Sequence, residues 1–252
     1  MFGLDVITLF LAASITVFAG IIKGAVGFAM PLIMISGLSV IADPKLAIAA
    51  IIFPTLLSNG FQTFRNGLKQ ALSAIIEFWR YLLITCVLIA ITAQSIILIP
   101  KEVLYLLLGI PVVTISAIQF LGLELKISPT SRKWADWVAG SITGILGGLS
   151  ATWGPPTVLY LLAIEIPKHR QIVAQGVIYG FGSIVFLLAH LQSGLLDAVT
   201  APLSALLIIP AFLGMWLGIR LQDRMDYTLF RKVTFAVLFV AGMNLFRKGI
   251  FG

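Results

Sequence analysis

Residues 140–156 read GSITGILGGLSATWGPP, and this stretch decides the fold. Five glycines and two prolines interrupt a segment that is otherwise mostly apolar. A related pattern occurs earlier in the chain, where residues 20–31 read GIIKGAVGFAMP. Such clusters inside apolar stretches indicate broken helices, which a membrane tolerates only beside protein or a water-filled cavity.

The composition indicates that the solvent of this chain is lipid. Of its 252 residues only 27 are charged, namely 17 Lys or Arg and 10 Asp or Glu. A soluble chain of this length would have about 60. Hydrophobic residues make up 60% and the mean hydropathy is +1.07, which excludes a soluble enzyme and a disordered chain. The single cysteine, Cys86, excludes a disulfide scaffold.

The basic balance of the chain has two interpretations. A net charge of +7 would suggest nucleic acid as the partner of a soluble protein. In a membrane protein it indicates basic loops that face an anionic cytoplasmic leaflet. We therefore expect the lipid bilayer as a partner and no nucleic acid.

Seven apolar stretches are each near the roughly 20 residues that a helix needs to cross a bilayer. They are residues 4–22, 46–64, 72–99, 103–123, 172–191, 199–221 and 227–246. Three shorter stretches, 30–41, 134–146 and 155–164, flank the two breaks. We predict a first transmembrane repeat over residues 1–123, a cytoplasmic linker over 124–133 and a second transmembrane repeat over 134–252.

The two halves of the chain are related in the order of their features. Residues 20–27 align with 140–147, Pro31 falls near Pro155, and residues 43–45 align with 166–168. Weak similarity that keeps its order is typical of transporter repeats. If each broken segment crosses the membrane once, the chain has eight spans and parallel repeats. If each enters and returns on the same side, three full crossings per half invert the second repeat.

The positive-inside rule separates these two alternatives. Of the basic residues, 15 lie near span ends, and simple crossing divides them 8 to 7. The re-entrant alternative divides them 11 to 4, and its richer side, here termed the basic face, holds Arg65, Lys69, Lys126, Arg132, Lys133, Lys168, Arg170, Arg220, Arg224, Arg231 and Lys232. We therefore predict an all-α polytopic membrane protein with two inverted-topology repeats. Each repeat has a broken re-entrant hairpin followed by three transmembrane helices. Both termini lie on the outer side of the cell membrane.

Paired broken helices in inverted repeats place a binding site near the bilayer midplane. Proline near the start of each returning half-helix and backbone N–H groups at the glycine-rich breaks suggest an anion as ligand. Lys23 adds a positive charge at one break, although it would snorkel to the interface if residues 4–22 span fully. The predicted substrate-binding residues are Lys23, Gly24, Gly27, Phe28, Asn59, Gln62, Ser150, Thr152, Trp153, Gln175 and Tyr179.

These residue types also have purely structural explanations. Glycines serve close helix packing, and amides in membrane helices commonly hydrogen-bond between helices. Glu77 and Arg80 are three residues apart, which predicts a structural ion pair within one helix. His169 and His190 lie at span ends, too far from carboxylates or cysteines to suggest a metal site, and no nucleotide or catalytic motif occurs. We therefore expect no metal, no cofactor and no enzymatic activity.

Two motifs summarise the breaks, Gly20-x3-Gly24-x2-Gly27-x3-Pro31 and Gly144-x2-Gly147-Gly148-x5-Gly154-Pro155-Pro156. Together with the two-half layout, which covers nearly the whole chain, they resemble the TauE/SafE family of sulfite and organosulfonate exporters. The resemblance implies a small permease for sulfite, a sulfonate, sulfoacetate or a related two-carbon sulfonate.

Electrostatics favours export over uptake. An anion that leaves a negative-inside cell gains about 2.3 kcal/mol per charge per 100 mV, which favours export by alternating access. The alternatives are an anion channel, an uptake permease for organic anions and a membrane scaffold without transport activity. The sequence leaves the oligomeric state open.

Overall fold

The computed structural model describes residues 5–120 and 126–251, and the regular structure of those residues is entirely helical. The α-helices are α1 Val6–Val26, α2 Met30–Ile41, α3 Pro44–Phe64, α4 Leu68–Glu77, α5 Trp79–Ala93, α6 Lys101–Phe120, α7 Arg132–Ser150, α8 Gly154–Ala163, α9 Lys168–Gln192, α10 Ala201–Leu206, α11 Ile208–Gln222 and α12 Tyr227–Phe251. Short 3-10 helices follow α5 and precede α7. The prediction of an all-α chain is confirmed.

Four helical segments among the described residues are long and apolar enough to cross a membrane: α1, α3, α9, and α10 with α11. The pair α4 and α5 would be a fifth, but it bends by 82°. The stretch predicted as one span over residues 72–99 is therefore sharply bent within its length. The bend lies at Phe78, and the helix before it has Lys69, Ser73 and Glu77 one turn apart along one side. A polar stripe of this kind suits a membrane surface.

The first broken segment is a hairpin. Helix α1 begins after Asp5, whose carboxylate accepts the Thr8 N–H, and it ends at Gly27 with φ of 86°. Helix α2 then folds back along α1. The two helices are in contact at Gly37, where a Cβ would lie only 2.7 Å from Cγ2 of Ile15. The end of α2 therefore returns towards the start of α1.

The second broken segment has the same form. Helix α7 ends at Ala151 with φ of 55°, and α8 begins at Gly154. The Ile127 N–H, which precedes α7, donates to the carbonyl oxygen of Ala163 at the end of α8, at 2.9 Å. The end of α8 therefore returns to the side from which α7 starts.

Close packing at glycines joins the two halves of the chain. A Cβ on Gly24 of α1 would lie 2.3 Å from the Met215 carbonyl oxygen of α11. A Cβ on Gly144 of α7 would lie 2.9 Å from the Thr85 carbonyl oxygen of α5. A side chain at either position would meet backbone atoms, which cannot move aside as a flexible side chain can. Glycine therefore allows these helices to approach closely. Each pair takes one helix from each half, so the halves share one packed interior.

Ion pairs gather several basic residues at one end of the bundle. Arg65, just after α3, lies 3.4 Å from Asp223, just after α11. Helix α4 follows, and its last residue, Glu77, pairs with Arg132 at 3.0 Å and with Arg170. Three arginines of the predicted basic face therefore lie at the same end of the structure, on α7, α9 and the turn between α3 and α4.

Candidate functional site

The two helix breaks meet inside the bundle. A Cβ on Gly154 would lie 2.7 Å from Cδ2 of Phe28, so the loop after α1 contacts the start of α8. Between the breaks lies a cavity of about 10 Å³, room for roughly one water molecule. Both breaks and α9 supply its lining: Lys23, Phe28, Ala29, Pro31, Leu32, Ala151, Thr152, Trp153, Gly154, Pro155 and Tyr179. A volume of this size admits nothing larger than a water molecule.

Lys23 lies at the centre of this arrangement. Helix α1 continues past residue 22 and brings Lys23 into the interior, where it is only 2% exposed. Its Nζ donates a hydrogen bond to Oδ1 of Asn59 on α3 and lies 5.9 Å from the centre of the Tyr179 ring on α9. The Nδ2 of Asn59 donates to the Tyr179 carbonyl oxygen at 3.1 Å. Asn59 is therefore held so that its oxygen faces the ammonium group.

The Lys23 ammonium lacks an opposite charge within the described structure. Across residues 5–120 and 126–251, the ion pairs join other residues and no carboxylate pairs with Lys23. A cation in the middle of a membrane helix costs roughly 2.5–3.5 kcal/mol on insertion scales. The neutral Asn59 oxygen offsets only part of that cost. A bound anion would supply the missing charge.

Two glutamine side chains lie beside the same break with unused hydrogen-bonding capacity. A Cβ on Gly27 would lie 2.6 Å from Oε1 of Gln175 and 3.4 Å from Nε2 of Gln62, so glycine at this position leaves room for both amides. Both amides are buried, and neither has a hydrogen-bond partner for its nitrogen or oxygen in the described part of the chain. Because buried polar groups are nearly always paired, these atoms indicate a missing ligand or water.

Aromatic rings form one wall of the site. The Trp153 ring stacks on Tyr179 with centroids 6.3 Å apart and meets Phe186 edge-on at 5.8 Å. Phe186 in turn contacts the ring of His190 at 4.2 Å. The Tyr179 hydroxyl donates to the Gly154 carbonyl oxygen at 3.4 Å. The site therefore combines polar groups from α1, α3 and α9 with aromatic rings from the second break and from α9.

Each break contains an alanine with a left-handed backbone conformation. Ala29 precedes α2 with φ of 74°, and Ala151 follows α7 with φ of 55°. Non-glycine residues rarely adopt this region, and they cluster at functional sites when they do. The start of α8 has few backbone N–H groups to donate, because Pro155 and Pro156 occupy two of its first three positions and proline has no N–H. Lys23 and the amides are therefore the principal donors of the site.

A family model described as Sulfite exporter TauE/SafE matches residues 12–245 and thus covers both breaks. The chain belongs to the TauE/SafE sulfite exporter family. No curated protein and no solved structure matches it. TauE/SafE membership makes the chain a membrane transporter of the sulfite-exporter type, in a family of transporters rather than enzymes.

In this TauE/SafE chain the predicted site residues fall into separate groups. The cavity is lined by Lys23, Phe28, Thr152, Trp153 and Tyr179. Around it, in contact with Lys23 or beside Gly27, lie Asn59, Gln62 and Gln175. Gly24 faces α11 instead, and the side chain of Ser150 lies outside the described residues. The sequence did not indicate Ala29 or Ala151 as site residues. The only feature that could have pointed to them is their position next to a break.

The predicted ion pair between Glu77 and Arg80 is wrong. The 82° bend at Phe78 puts the two residues on different helices, so the three-residue spacing no longer brings them together. Glu77 pairs with Arg132 and Arg170, and Arg80 lies 3.8 Å from the carboxylate of Asp136. The described residues contain no cluster of His, Cys, Asp and Glu that could hold a metal ion.

Proposed function

We propose that the chain exports a small sulfur-containing anion of the sulfite, sulfonate or sulfoacetate type across the cell membrane. The observation that carries this proposal is the buried Lys23 ammonium, whose hydrogen-bond partner is the neutral Asn59 rather than a carboxylate. A site with one uncompensated positive charge favours a ligand with one negative charge, so among these anions it favours hydrogensulfite and simple sulfonates over sulfoacetate, which carries two charges. The unpaired amides of Gln62 and Gln175 favour a ligand that accepts several hydrogen bonds, as the oxygens of a sulfur oxyanion do.

The aromatic wall supports an anion with a small apolar part. Trp153 and Tyr179 line the cavity, and the amides of Gln62 and Gln175 lie beside Gly27 at its edge. A sulfonate would place its oxygens towards Lys23 and its carbon chain against these rings. A phosphate or dicarboxylate with two charges would need a second cation, which the lining of the cavity does not contain.

Alternating access fits the arrangement of the two hairpins. We propose that residues 1–123 and 134–252 are inverted repeats joined by the linker 124–133, so that the hairpins enter from opposite faces and meet at the cavity. The contacts of Gly37 with Ile15 and of Ile127 with Ala163 support the folding-back of each hairpin. Movement of one hairpin at a time would open the cavity to one face of the membrane.

We also propose that the basic face is cytoplasmic and that both termini are outside. The ion pairs that gather Arg65, Arg132 and Arg170 at one end support the grouping on which this orientation rests. A reporter that is active only in the cytoplasm, fused to the C-terminus, should stay inactive. An active reporter would overturn the orientation.

The function is tested by flux into proteoliposomes with a panel of sulfite, methanesulfonate, sulfoacetate, sulfate and acetate. We expect saturable flux of methanesulfonate and of sulfite in its singly charged hydrogensulfite form, slower flux of the doubly charged sulfoacetate, and little flux of sulfate or acetate. Flux that rises linearly with concentration would indicate a channel instead. Normal folding without flux of any anion in the panel would indicate a scaffold.

A further inference from the structure

Glutamine side chains form a row on α9 and α3 that continues beyond the Lys23 site. Gln171 and Gln175 are one turn apart on α9, and Gln62 lies opposite them on α3. They are 1%, 0% and 4% exposed. Gln171 Oε1, like both amide atoms of Gln62 and Gln175, has no hydrogen-bond partner in residues 5–120 and 126–251. Burial of this many unpaired amide atoms is costly unless something binds them.

The row leads from the site towards the basic face. The Thr63 hydroxyl donates to the Gly176 carbonyl oxygen at 2.7 Å, which places Gln62 of α3 beside Gln175 of α9. Gln171 lies one turn, about 6 Å, closer to the start of α9. Its neighbour Arg170 pairs with Glu77 at the bundle end where the arginines gather. Gln171 therefore lies between Lys23 and the basic face.

The other direction along α9 has a different character. From Tyr179 towards the end of α9 the interior contains the rings of Trp153, Phe186 and His190 in continuous contact. Aromatic rings give an anion few hydrogen bonds, whereas carboxamides replace the water that it loses. The two approaches to Lys23 therefore differ in chemistry, and the polar approach is the one from the basic face.

We propose that Gln171, Gln175 and Gln62 form a second anion-binding station between the basic face and Lys23. This inference rests on the proposed function. A small oxyanion that enters from the basic face exchanges hydration water for amide N–H groups there before it reaches the ammonium. A carboxamide can rotate to present either its N–H₂ or its oxygen, so the same side chain serves the hydrated and the partly dehydrated anion. Because the station is uncharged, it holds the anion loosely and passes it on.

The station is tested by cysteine labelling in the full-length chain, with Cys86→Ser as background. Gln171→Cys is treated with the anionic reagent 2-sulfonatoethyl methanethiosulfonate and with its cationic trimethylammonium counterpart. Val173→Cys, on the same turn of α9 and equally buried, is the matched control. Rates are normalised to those of free cysteine and measured in inverted membrane vesicles and in spheroplasts.

We expect Gln171→Cys in inverted vesicles to react at least about tenfold faster with the anionic reagent than with the cationic one, as expected for an anion path. Methanesulfonate should slow this reaction, and Val173→Cys should stay unreactive. Equal rates with both reagents, no reaction, or reaction only in spheroplasts would overturn the station.

A second variant tests the station in case Gln171→Cys fails to fold. Gln171→Glu keeps the size of the side chain and adds a negative charge, so we expect it to raise the KM for anion flux at least about tenfold. An unchanged KM would contradict the station. The two proposals can be distinguished. If Lys23→Met transports normally while Gln171→Cys reacts as expected, the Lys23 site is contradicted and the glutamine station is supported. If Lys23→Met abolishes flux and Gln171→Cys does not react, the Lys23 site is supported and the glutamine station is contradicted.

Discussion

Replacement of Lys23 by methionine should abolish tight anion binding without harming the fold. Methionine has nearly the length of lysine, so the space that the lysine side chain occupies stays filled. The buried Oδ1 of Asn59 loses its donor, which costs about 1–3 kcal/mol. Against this, the variant removes a buried cation that costs roughly 2.5–3.5 kcal/mol. Lys23→Met should therefore be at least as stable as the natural chain.

The loss of affinity follows from the charge that is removed. At a separation of about 4 Å and an effective dielectric constant of about 20, two unit charges attract by about 4 kcal/mol. Each 1.4 kcal/mol changes Kd about tenfold, so the full attraction corresponds to roughly a thousandfold. Asn59, Gln62 and Gln175 remain in the variant and keep part of the binding energy. We therefore expect Kd to rise between about 100-fold and 1,000-fold.

The assay pairs calorimetric titration of sulfite in detergent with a thermal unfolding curve of the same sample. Lys45→Met is the control, because Lys45 is exposed at the start of α3 and away from the cavity. It should bind like the natural chain. A Lys23→Met protein that binds sulfite with unchanged Kd would refute the reasoning. A protein with a clearly lower Tm would show that Lys23 has a structural partner.

Two further predictions concern packing and the basic face. Gly24→Ala should lower the stability by about 1–3 kcal/mol, because the added methyl meets the backbone of α11; Gly60→Ala in α3, where the methyl meets nothing within 4 Å, should raise it by about 0.5–1 kcal/mol. Thermal unfolding of both variants measures this contrast, and equal shifts would contradict the packing argument. Glu77→Gln should cost about 1 kcal/mol, since it weakens pairs with both Arg132 and Arg170. The same measurement on Lys69→Gln, an exposed residue of α4, should show no change.

The sequence predicted the features that depend on local chemistry. Glycine and proline clusters identified both breaks, and helical spacing put Asn59 with Gln62 and Gln175 with Tyr179. Those pairs do lie around Lys23 because one face of a straight helix stays together. The same spacing failed for Glu77 and Arg80, since the bend at Phe78 depends on how α4 and α5 pack against other helices.

Glycines show a second limit of sequence reasoning. Gly24 and Gly27 belong to one motif and are three residues apart, yet Gly24 contacts the backbone of α11 while Gly27 faces Gln175. A glycine carries no side chain whose chemistry would distinguish packing from ligand access. Only the neighbours that a Cβ would meet separate the two roles, and those neighbours come from the second half of the chain.

The lone charge at Lys23 also determines where the membrane potential acts in the proposed transport cycle. With a singly charged anion bound, the site is neutral, so the loaded carrier crosses the field at no electrical cost. The empty carrier keeps its buried cation, whose return towards a negative interior gains about 2.3 kcal/mol per 100 mV. Export of one negative charge per cycle is thereby driven on the empty step. Voltage should accelerate net export but leave the exchange of labelled for unlabelled anion unchanged, because exchange uses the loaded step alone. Exchange that responds to voltage as strongly as net export would show that Lys23 does not neutralise the substrate.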